Sequence, residues 1–435
     1  MTTGYAGRTL AGYVAAEAGR YVELAGWTHR VRRIGGITFL LIRDRTGMAQ
    51  VVFEAGGPDE VKLERLGAED VVRVGGMVRA DARAPGGAEV LGRSLDVISA
   101  AEPPPFEINL PAVKAGLDLI LDHRVISLRH PTAQAVFRIK ADIVAGFRRF
   151  SEAQGMVEVQ TPKIVATGTE GGANLFAVDY VGRRAYLAQS PQFYKQLLVM
   201  SGFERVFEVG PVYRAEPHNT SRHLNEFTSM DWEIGFVGGA GEVMDLEEEM
   251  LSGLVASLSE IRGRELSLVG ADVRARLPAG GIPRLALAAA VALLERSFGK
   301  VSPRGDLDPE GERLLCEATG GAVFVTEWPA ATRPAYAAPL DRDPELTDSF
   351  DLLLGGMEVT TGGRRISDYA QLRASLAQRG LDPGAFGFYL DGFRYGTPPH
   401  AGLAIGLERL TMALLGLGNM REVTLFPRDL TRLEP

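Results

Sequence analysis

Cysteine is almost absent: Cys316 is the only one in 435 residues. That excludes an internal disulfide and any cysteine-rich metal site, and it predicts a small filler side chain in a reducing, cytoplasmic setting. No run of ~18 uninterrupted apolar residues occurs, so no membrane-spanning helix is expected. The opening MTTGYAGRTL lacks a basic stretch followed by an apolar one, so no secretory signal is expected either. No G-x-x-x-x-G-K-[ST] is present, so a nucleotide site, if the chain has one, is not a P-loop. No repeat period and no low-complexity tract stands out.

A positive net charge is also missing. The chain carries −8, which argues against nucleic-acid binding by bulk charge. Residues 1–100 hold 13 Lys and Arg against 12 Asp and Glu, so the acidic excess lies in the remainder, which carries −9. An anionic partner of that part must be met by particular residues.

What is present divides near residue 103. Tyr21–Trp27, Ile37–Arg43, Ala49–Glu54, Val71–Val78 and Glu89–Val97 are short β-rich runs separated by Gly-rich or polar breaks, with a helix-like Pro58–Leu66 before the fourth. Five such strands suit a small Greek-key barrel of the oligonucleotide-binding (OB) type over residues 1–102. Glu102-Pro103-Pro104-Pro105 stiffens the chain and opens a linker over 103–128. Residues 129–435 alternate helices and strands. Pro131 suits the first position of a helix carrying Val136, Ile139, Ile143, Phe147 and Phe150, closed by Gly155 and followed by a β-rich Met156–Gln160. Residues 241–345 read as a helical insertion without a functional signal.

Three constellations carry chemistry. RAEPHNTSRHLNEF (214–227) crowds Arg214, Glu216, Arg222, His223 and Glu226 into a strand–loop–strand. Guanidinium forks match phosphate oxygens two at a time and never lose their charge; a solvated, charge-rich hairpin loop is the plainer account of the same residues. GLAIGLERL (402–410) opens a helix after a Gly/Pro-rich approach, with Arg409 about two turns in. Glycines there admit a nucleotide or merely allow close packing. Asp351 and Glu358, seven apart on an extended run, share one face only if a bulge or turn intervenes; paired, they suit Mg²⁺ bridging of ATP phosphates.

The order of these pieces is more specific than any one of them. Together with ATGTEGGANLF (166–176), LAQSPQFYKQ (187–196), FRYGTPPHAGLAIGLERL (393–410) and REVTLFPRD (421–429), the chain resembles the short, archaeal-type class II aspartyl-tRNA synthetases over essentially its whole length. The resemblance implies a six-stranded antiparallel sheet flanked by helices, a homodimer formed partly through the helix before Pro162, and ATP and Mg²⁺ as cosubstrate and cofactor. It places Arg214 on the α-phosphate and Arg222, His223 and Arg409 on the β- and γ-phosphates. Phe227 is placed under adenine, with Glu216 and the Leu224 backbone at the adenine edge, and Gly406, Leu407 and Glu408 beside the nucleotide. Asp351 and Glu358 fall at the metal positions.

For the amino acid the resemblance implies Lys195 and Arg365 on the aspartate side chain. Two cations around one small carboxylate disfavour neutral asparagine. Ser190, Gln192, Asp231 and Thr361 surround the substrate, and Glu170 rides on a glycine-rich loop that closes over it. In the N-terminal domain Phe39 and Gln50 match positions that stack on and hydrogen-bond the central anticodon base, with Arg30 and Arg32 near phosphates. His29 and Pro85 replace the Trp and Lys of relatives that charge only tRNA(Asp). They resemble the non-discriminating form, which also aspartylates tRNA(Asn) and implies an amidotransferase as partner. A strictly discriminating enzyme and an asparaginyl enzyme are the alternatives; Lys195 argues against the latter.

Overall fold

The computed structural model describes residues 7–169, 174–217 and 219–434. It divides into two compact units, Met1–Ala133 and Gln134–Pro435, each with its own core.

In the first unit, β1 (Tyr21–Ile34), β2 (Ile37–Asp44), β3 (Gly47–Glu54), β4 (Val71–Ala80) and β5 (Ala88–Ser99) close into a barrel in the order β1-β2-β3-β5-β4. Alternation sets what is inside: Leu40 and Ile42 on β2 and Val51 and Phe53 on β3 are buried, while Phe39, Leu41 and Gln50 between them turn outward. A slip of one residue would expose the whole apolar set, so the register is strongly fixed. The interval 103–128 contains two short helices, Leu117–Asp122 and Arg124–Ser127.

The second unit is built on a sheet of eight strands. In spatial order these are Arg284–Ala286, Ala322–Thr326, Ser349–Leu354, Met357–Arg364, His400–Gly406, Glu226–Gly235, Arg205–Tyr213 and Val157–Glu158. The six in the middle run antiparallel, and the outer two pair parallel to their neighbours. The expected six-stranded sheet is therefore corrected to eight. The added edge strands, three and two residues long, are too short to leave a period-two pattern. The span 241–345 holds helices such as Ala240–Ile261, Leu287–Phe298 and Pro309–Ala318, but it also supplies Arg284–Ala286 and Ala322–Thr326 to this sheet. Ala322–Val325 is buried at every position and so shows no alternation.

Helix Pro131–Ala153 buries Val136, Ile139, Ile143 and Phe147, and Gly155 at φ +74° lets the chain turn away. Phe147 stacks on Trp232 at 5.2 Å, and the indole N–H of Trp232 donates to Ser151 Oγ at 2.7 Å, which fastens the helix to the central strand Glu226–Gly235. Cys316 is buried, and burial pushes its thiol up to about 11, in keeping with a filler role.

The glycine-rich segment 402–410 differs from expectation. His400–Gly406 is a central strand, and the helix begins at Leu407, so Arg409 stands in its first turn rather than two turns in. Gly402 is needed for strand packing. A Cβ there would lie 2.2 Å from Glu233 Oε2 and 2.3 Å from the Trp232 carbonyl oxygen. Gly402 thus serves close packing between strands, and not the helix packing that a G-x-x-x-G suggests.

Candidate active site

A cavity of about 370 Å³ lies over the sheet. The long hairpin Arg205–Tyr213/Glu226–Gly235 delivers one wall. Arg214 follows the first strand directly; its N–H donates to the Asn225 carbonyl (2.9 Å), and Asn225 Nδ2 returns bonds to the carbonyls of Arg214 (2.7 Å) and Glu216 (3.2 Å). Asn225 thus closes the base of the loop. The Arg214 guanidinium lies over the Phe227 ring at 5.6 Å, and its Nε is buried with no partner. A buried, unpaired guanidinium N–H is costly unless an anion arrives. Arg222, His223 and Arg409 also line the cavity, with Glu216, Leu224 and Gly406 between them. Arg222 pairs with Glu312 at 3.0 Å, His223 Nε2 is 3.9 Å from Glu216, and Arg409 donates to the Glu358 carbonyl at 3.1 Å. Three guanidiniums and an imidazole around one cleft suit a polyphosphate.

Asp351 and Glu358 come together as the spacing required. Their strands form a hairpin with a register shift between Leu352 and Leu353, and Thr361 Oγ1 lies 2.9 Å from Asp351 and 3.0 Å from Glu358. The two carboxylates are otherwise unlike. Glu358 lines the cavity with its side chain 39 % exposed, whereas Asp351 is buried and does not line it. Both Asp351 oxygens are taken by Arg333 (2.9 and 2.6 Å), which lies over Trp328 at 4.3 Å. Burial pushes the Asp351 carboxyl upward; Arg333 opposes this and Glu358 adds to it. Among the described residues no group of three or more His, Cys, Asp or Glu could hold a metal ion. The residues fit Mg²⁺ held by the Glu358 carboxylate and phosphate oxygens, with Asp351 supporting it from behind.

Arg333 and Glu312 were not identifiable from sequence. Each acquires its place through a partner far along the chain: Asp351 for Arg333, and Arg222 for Glu312. Burial first, then Glu358, pushes Glu312 up to about 7.

Ser190, Gln192, Thr361 and Arg365 line the same cavity. Gln192 is buried, and its Nε2 has no partner. Arg365 grips Glu233 through Nε (2.9 Å) and a terminal nitrogen (3.2 Å). Lys195 lies behind this pair rather than on the cavity wall. Its ammonium donates to Asp231 (2.9 Å) and to the carbonyls of Trp232 (3.2 Å) and Leu403 (2.9 Å), and Glu233 is 3.4 Å away. Asp231 is likewise behind the wall and takes a hydrogen bond from Ser229. An ammonium 2 % exposed needs all three acceptors, which draws it into the sheet. Burial alone would raise the Glu233 carboxyl, but Arg365 and Lys195 outweigh it and hold it below the usual range.

Two expected nucleotide neighbours are placed elsewhere. Leu407 and Glu408 are buried at the start of helix Leu407–Leu415, outside the cavity lining. Glu408 accepts from Lys140 Nζ (2.7 Å) and from the Thr228 N–H (3.0 Å). It ties the start of this helix to the central hairpin and to helix Pro131–Ala153. Glu170 lies outside the described residues.

On the barrel, Arg30 pairs with Leu41 and Leu41 with Gln50, while Arg32 pairs with Phe39, so these side chains share the outer face of β1–β3. Gln50 Nε2 donates to Glu89 at 2.9 Å. A register shift between Thr28 and Arg30 places His29 on a bulge. His29 is buried, with Nδ1 3.1 Å from Arg43, whose guanidinium clasps Glu69. Burial, then Arg43, lowers its pKa to about 4, so the ring is neutral. His29, Arg30, Arg32 and Arg33 line a second cavity, of about 540 Å³; Pro85, in the turn Pro85–Gly87, does not.

A closed five-stranded barrel in one unit and, in the other, a mainly antiparallel sheet with an arginine-lined cleft and no P-loop are the features of a class II aminoacyl-tRNA synthetase. The chain belongs to the class II tRNA synthetases (D, K and N), whose family pattern matches residues 116–430, and residues 22–98 match the OB-fold nucleic acid binding domain. It is 46 % identical to the aspartate–tRNA(Asp/Asn) ligase of Thermus thermophilus (98 % of this chain, 100 % of that one) and 43 % identical to that of Archaeoglobus fulgidus (96 % and 97 %). It is 44 % identical to the aspartate–tRNA(Asp) ligase of Picrophilus torridus (95 % and 97 %). Among solved structures it is similar to asparaginyl-tRNA synthetase from Pyrococcus horikoshii complexed with asparaginyl-adenylate: TM-score 0.94, 34 % identity, covering 99 % of this chain and 100 % of that one.

Proposed function

We propose that this protein activates L-aspartate with ATP and transfers it to the 3′ end of tRNA(Asp) and tRNA(Asn), acting as a homodimer. The observation that carries the choice of amino acid is the pair Arg365 and Lys195, one on the cavity wall and one directly behind it, linked through Glu233. On this reading the aspartate carboxylate takes up donors of Arg365, whose guanidinium is otherwise paired with Glu233, and neutral asparagine gains less from the same cation. The relatives named as aspartate ligases, at 43–46 % identity, support the same choice over the asparaginyl neighbour at 34 %.

In the first step an α-carboxylate oxygen of aspartate attacks the α-phosphorus, and the bond to the β-phosphate oxygen breaks, releasing pyrophosphate. Arg214 meets the charge that builds on the α-phosphate; Arg222, His223 and Arg409 hold the leaving group. Phe227 stacks on adenine. Gln192 and Ser190 orient the amino acid. Glu358 would hold Mg²⁺, which when bound would neutralise charge on the phosphates. The terminal ribose hydroxyl then attacks the aspartyl carbonyl and AMP leaves.

The dual RNA choice rests on His29. A small, neutral, buried imidazole offers neither a wide stacking face nor a cation to separate the last base of one anticodon from that of the other. An amidotransferase acting on aspartyl-tRNA(Asn) is the partner this reading implies. ATP–pyrophosphate exchange with aspartate and asparagine, followed by charging of both purified tRNAs, tests it. Exchange driven better by asparagine overturns the amino-acid choice. Negligible charging of tRNA(Asn) reduces the enzyme to the discriminating form that the Picrophilus relative is named for.

A further inference from the structure

The nucleotide-facing loop between strands Arg205–Tyr213 and Glu226–Gly235 has no regular structure from Arg214 to Asn225 among its described residues, yet it carries Arg214, Arg222 and His223. A loop of that length does not hold three phosphate ligands in place unaided. We infer that Arg421 is the positioning residue that fixes this loop, with the C-terminal segment 419–429 acting as its strap.

The geometry is specific. Arg421 is buried, and each arm of its guanidinium has a task. Nε donates to Asp429 Oδ2 (2.6 Å), one terminal nitrogen to the Thr220 carbonyl (3.0 Å), and the other to Asn219 Oδ1 (2.7 Å). Asp429 is held in turn by the N–H groups of Thr431 and Arg432 (2.9 Å each), and its carboxyl stays below the usual range although burial works the other way. Backbone bonds reinforce the strap on both sides: the Met420 N–H donates to the Ser221 carbonyl (2.9 Å) and the Asn225 N–H to the Arg428 carbonyl (2.8 Å). The strap is anchored independently of the loop, because the Val423 carbonyl accepts from Lys140 (2.9 Å), which also pairs with Glu408. Two attachments therefore bracket Arg222 and His223: Arg421 reaches the tip just before them, and Arg428 holds the base just after.

A planar fork is required here. Three acceptors in three directions are matched by a guanidinium, whereas an ammonium on a flexible stem reaches the carboxylate but not the set. Arg421 does not line the cavity, so its influence on the reaction runs through Asn219 and Thr220.

The inference rests on the proposal that the cavity takes ATP, and two readouts separate the failures. ATP–pyrophosphate exchange is measured on the full chain for wild type, R421A, R421K and N219A, with KM for ATP and aspartate determined separately and thermal melting alongside. Tryptic cleavage after Arg222 is followed in the same proteins. Asn219 is exposed, so N219A removes the tip contact without disturbing the Arg421–Asp429 pair. We expect KM for ATP to rise about tenfold in R421A and about threefold in N219A, with R421K between, while KM for aspartate stays within about twofold. Cleavage after Arg222 should quicken in the same order, and N219A should melt with wild type. Equal rises in both KM values, or N219A indistinguishable from wild type in KM and cleavage, overturn the inference. Absent exchange in wild type with accelerated cleavage in the variants would instead sink the ATP reading and leave the strap standing.

Discussion

Glu247 is a carboxylic acid kept where no charge is easily borne. It is fully buried, its Oε1 accepts from Thr360 Oγ1 at 2.5 Å, and its Oε2 has no partner; burial pushes its pKa up to about 8. The folded pKa lies above the unfolded one, so the folded state retains the proton. The neutral acid's contribution is fully present below pH ~4.5 and is lost as pH rises towards about 8. Replacing Glu247 by Gln keeps the shape and removes the titration. E247Q should melt close to wild type at pH 5 and above it at pH 8.5, by a margin on the order of a few kcal/mol. A difference that does not grow with pH would show that Glu247 is not taking up a proton on folding.

Gln192 makes the complementary case, a buried cavity-lining residue whose amide donor has no partner. Q192A should lower kcat/KM for aspartate about 10- to 100-fold, the cost of one lost hydrogen bond to a charged group, with melting within about a degree of wild type. The cations Arg214, Arg222 and Arg409 could be picked out in the sequence only through the order of the motifs that carry them, because a solvated hairpin loop and close packing account for the same residues one run at a time. Lys195 could be picked out by type but not by place. Nothing local tells that its ammonium will be drawn behind the wall by the Trp232 and Leu403 carbonyls.

At the scale of elements, helix Pro131–Ala153 is tied to the site by one side chain. Lys140 joins Glu408 at the start of helix Leu407–Leu415 to the Val423 carbonyl, and Glu408 in turn receives the Thr228 N–H of the central hairpin. Removing the cation leaves Glu408 buried and uncompensated. K140M should therefore destabilise the chain by about 3–5 kcal/mol, whereas the double variant K140M/E408Q recovers much of that loss. Denaturant melts of both variants measure the coupling; additive losses would mean that the pair contributes nothing as a pair. The elements themselves were legible to different degrees for one physical reason. Barrel strands with one wet and one dry face announce themselves by alternation. Ala322–Thr326 and His400–Gly406 lie within the sheet with little exposure on either face, and their uniform sequence reads as well for a helix.

At the scale of the whole chain, two compact units divide the labour. The cleft of the second unit is lined by Arg214, Arg222, His223, Arg409, Glu358 and Arg365, with Lys195 and Asp351 directly behind its wall. The outer face of the first carries Phe39, Gln50 and Arg30, which the register aligns across three strands. The composition of the chain hides this division, since its net charge of −8 argues against nucleic acid while a small basic face sits on one barrel. If that face reads the anticodon, damage to it must appear in only one of the two half-reactions. F39A removes a stacking surface worth about 1–3 kcal/mol per base, so KM for tRNA(Asp) should rise roughly 5- to 150-fold. Aspartate-dependent ATP–pyrophosphate exchange should stay at the wild-type rate, because that reaction needs no anticodon. The two measurements must be made on one preparation. A parallel fall in exchange would mean that Phe39 supports the fold rather than the RNA, and an unchanged KM for tRNA would move the recognition face away from β1–β3 altogether.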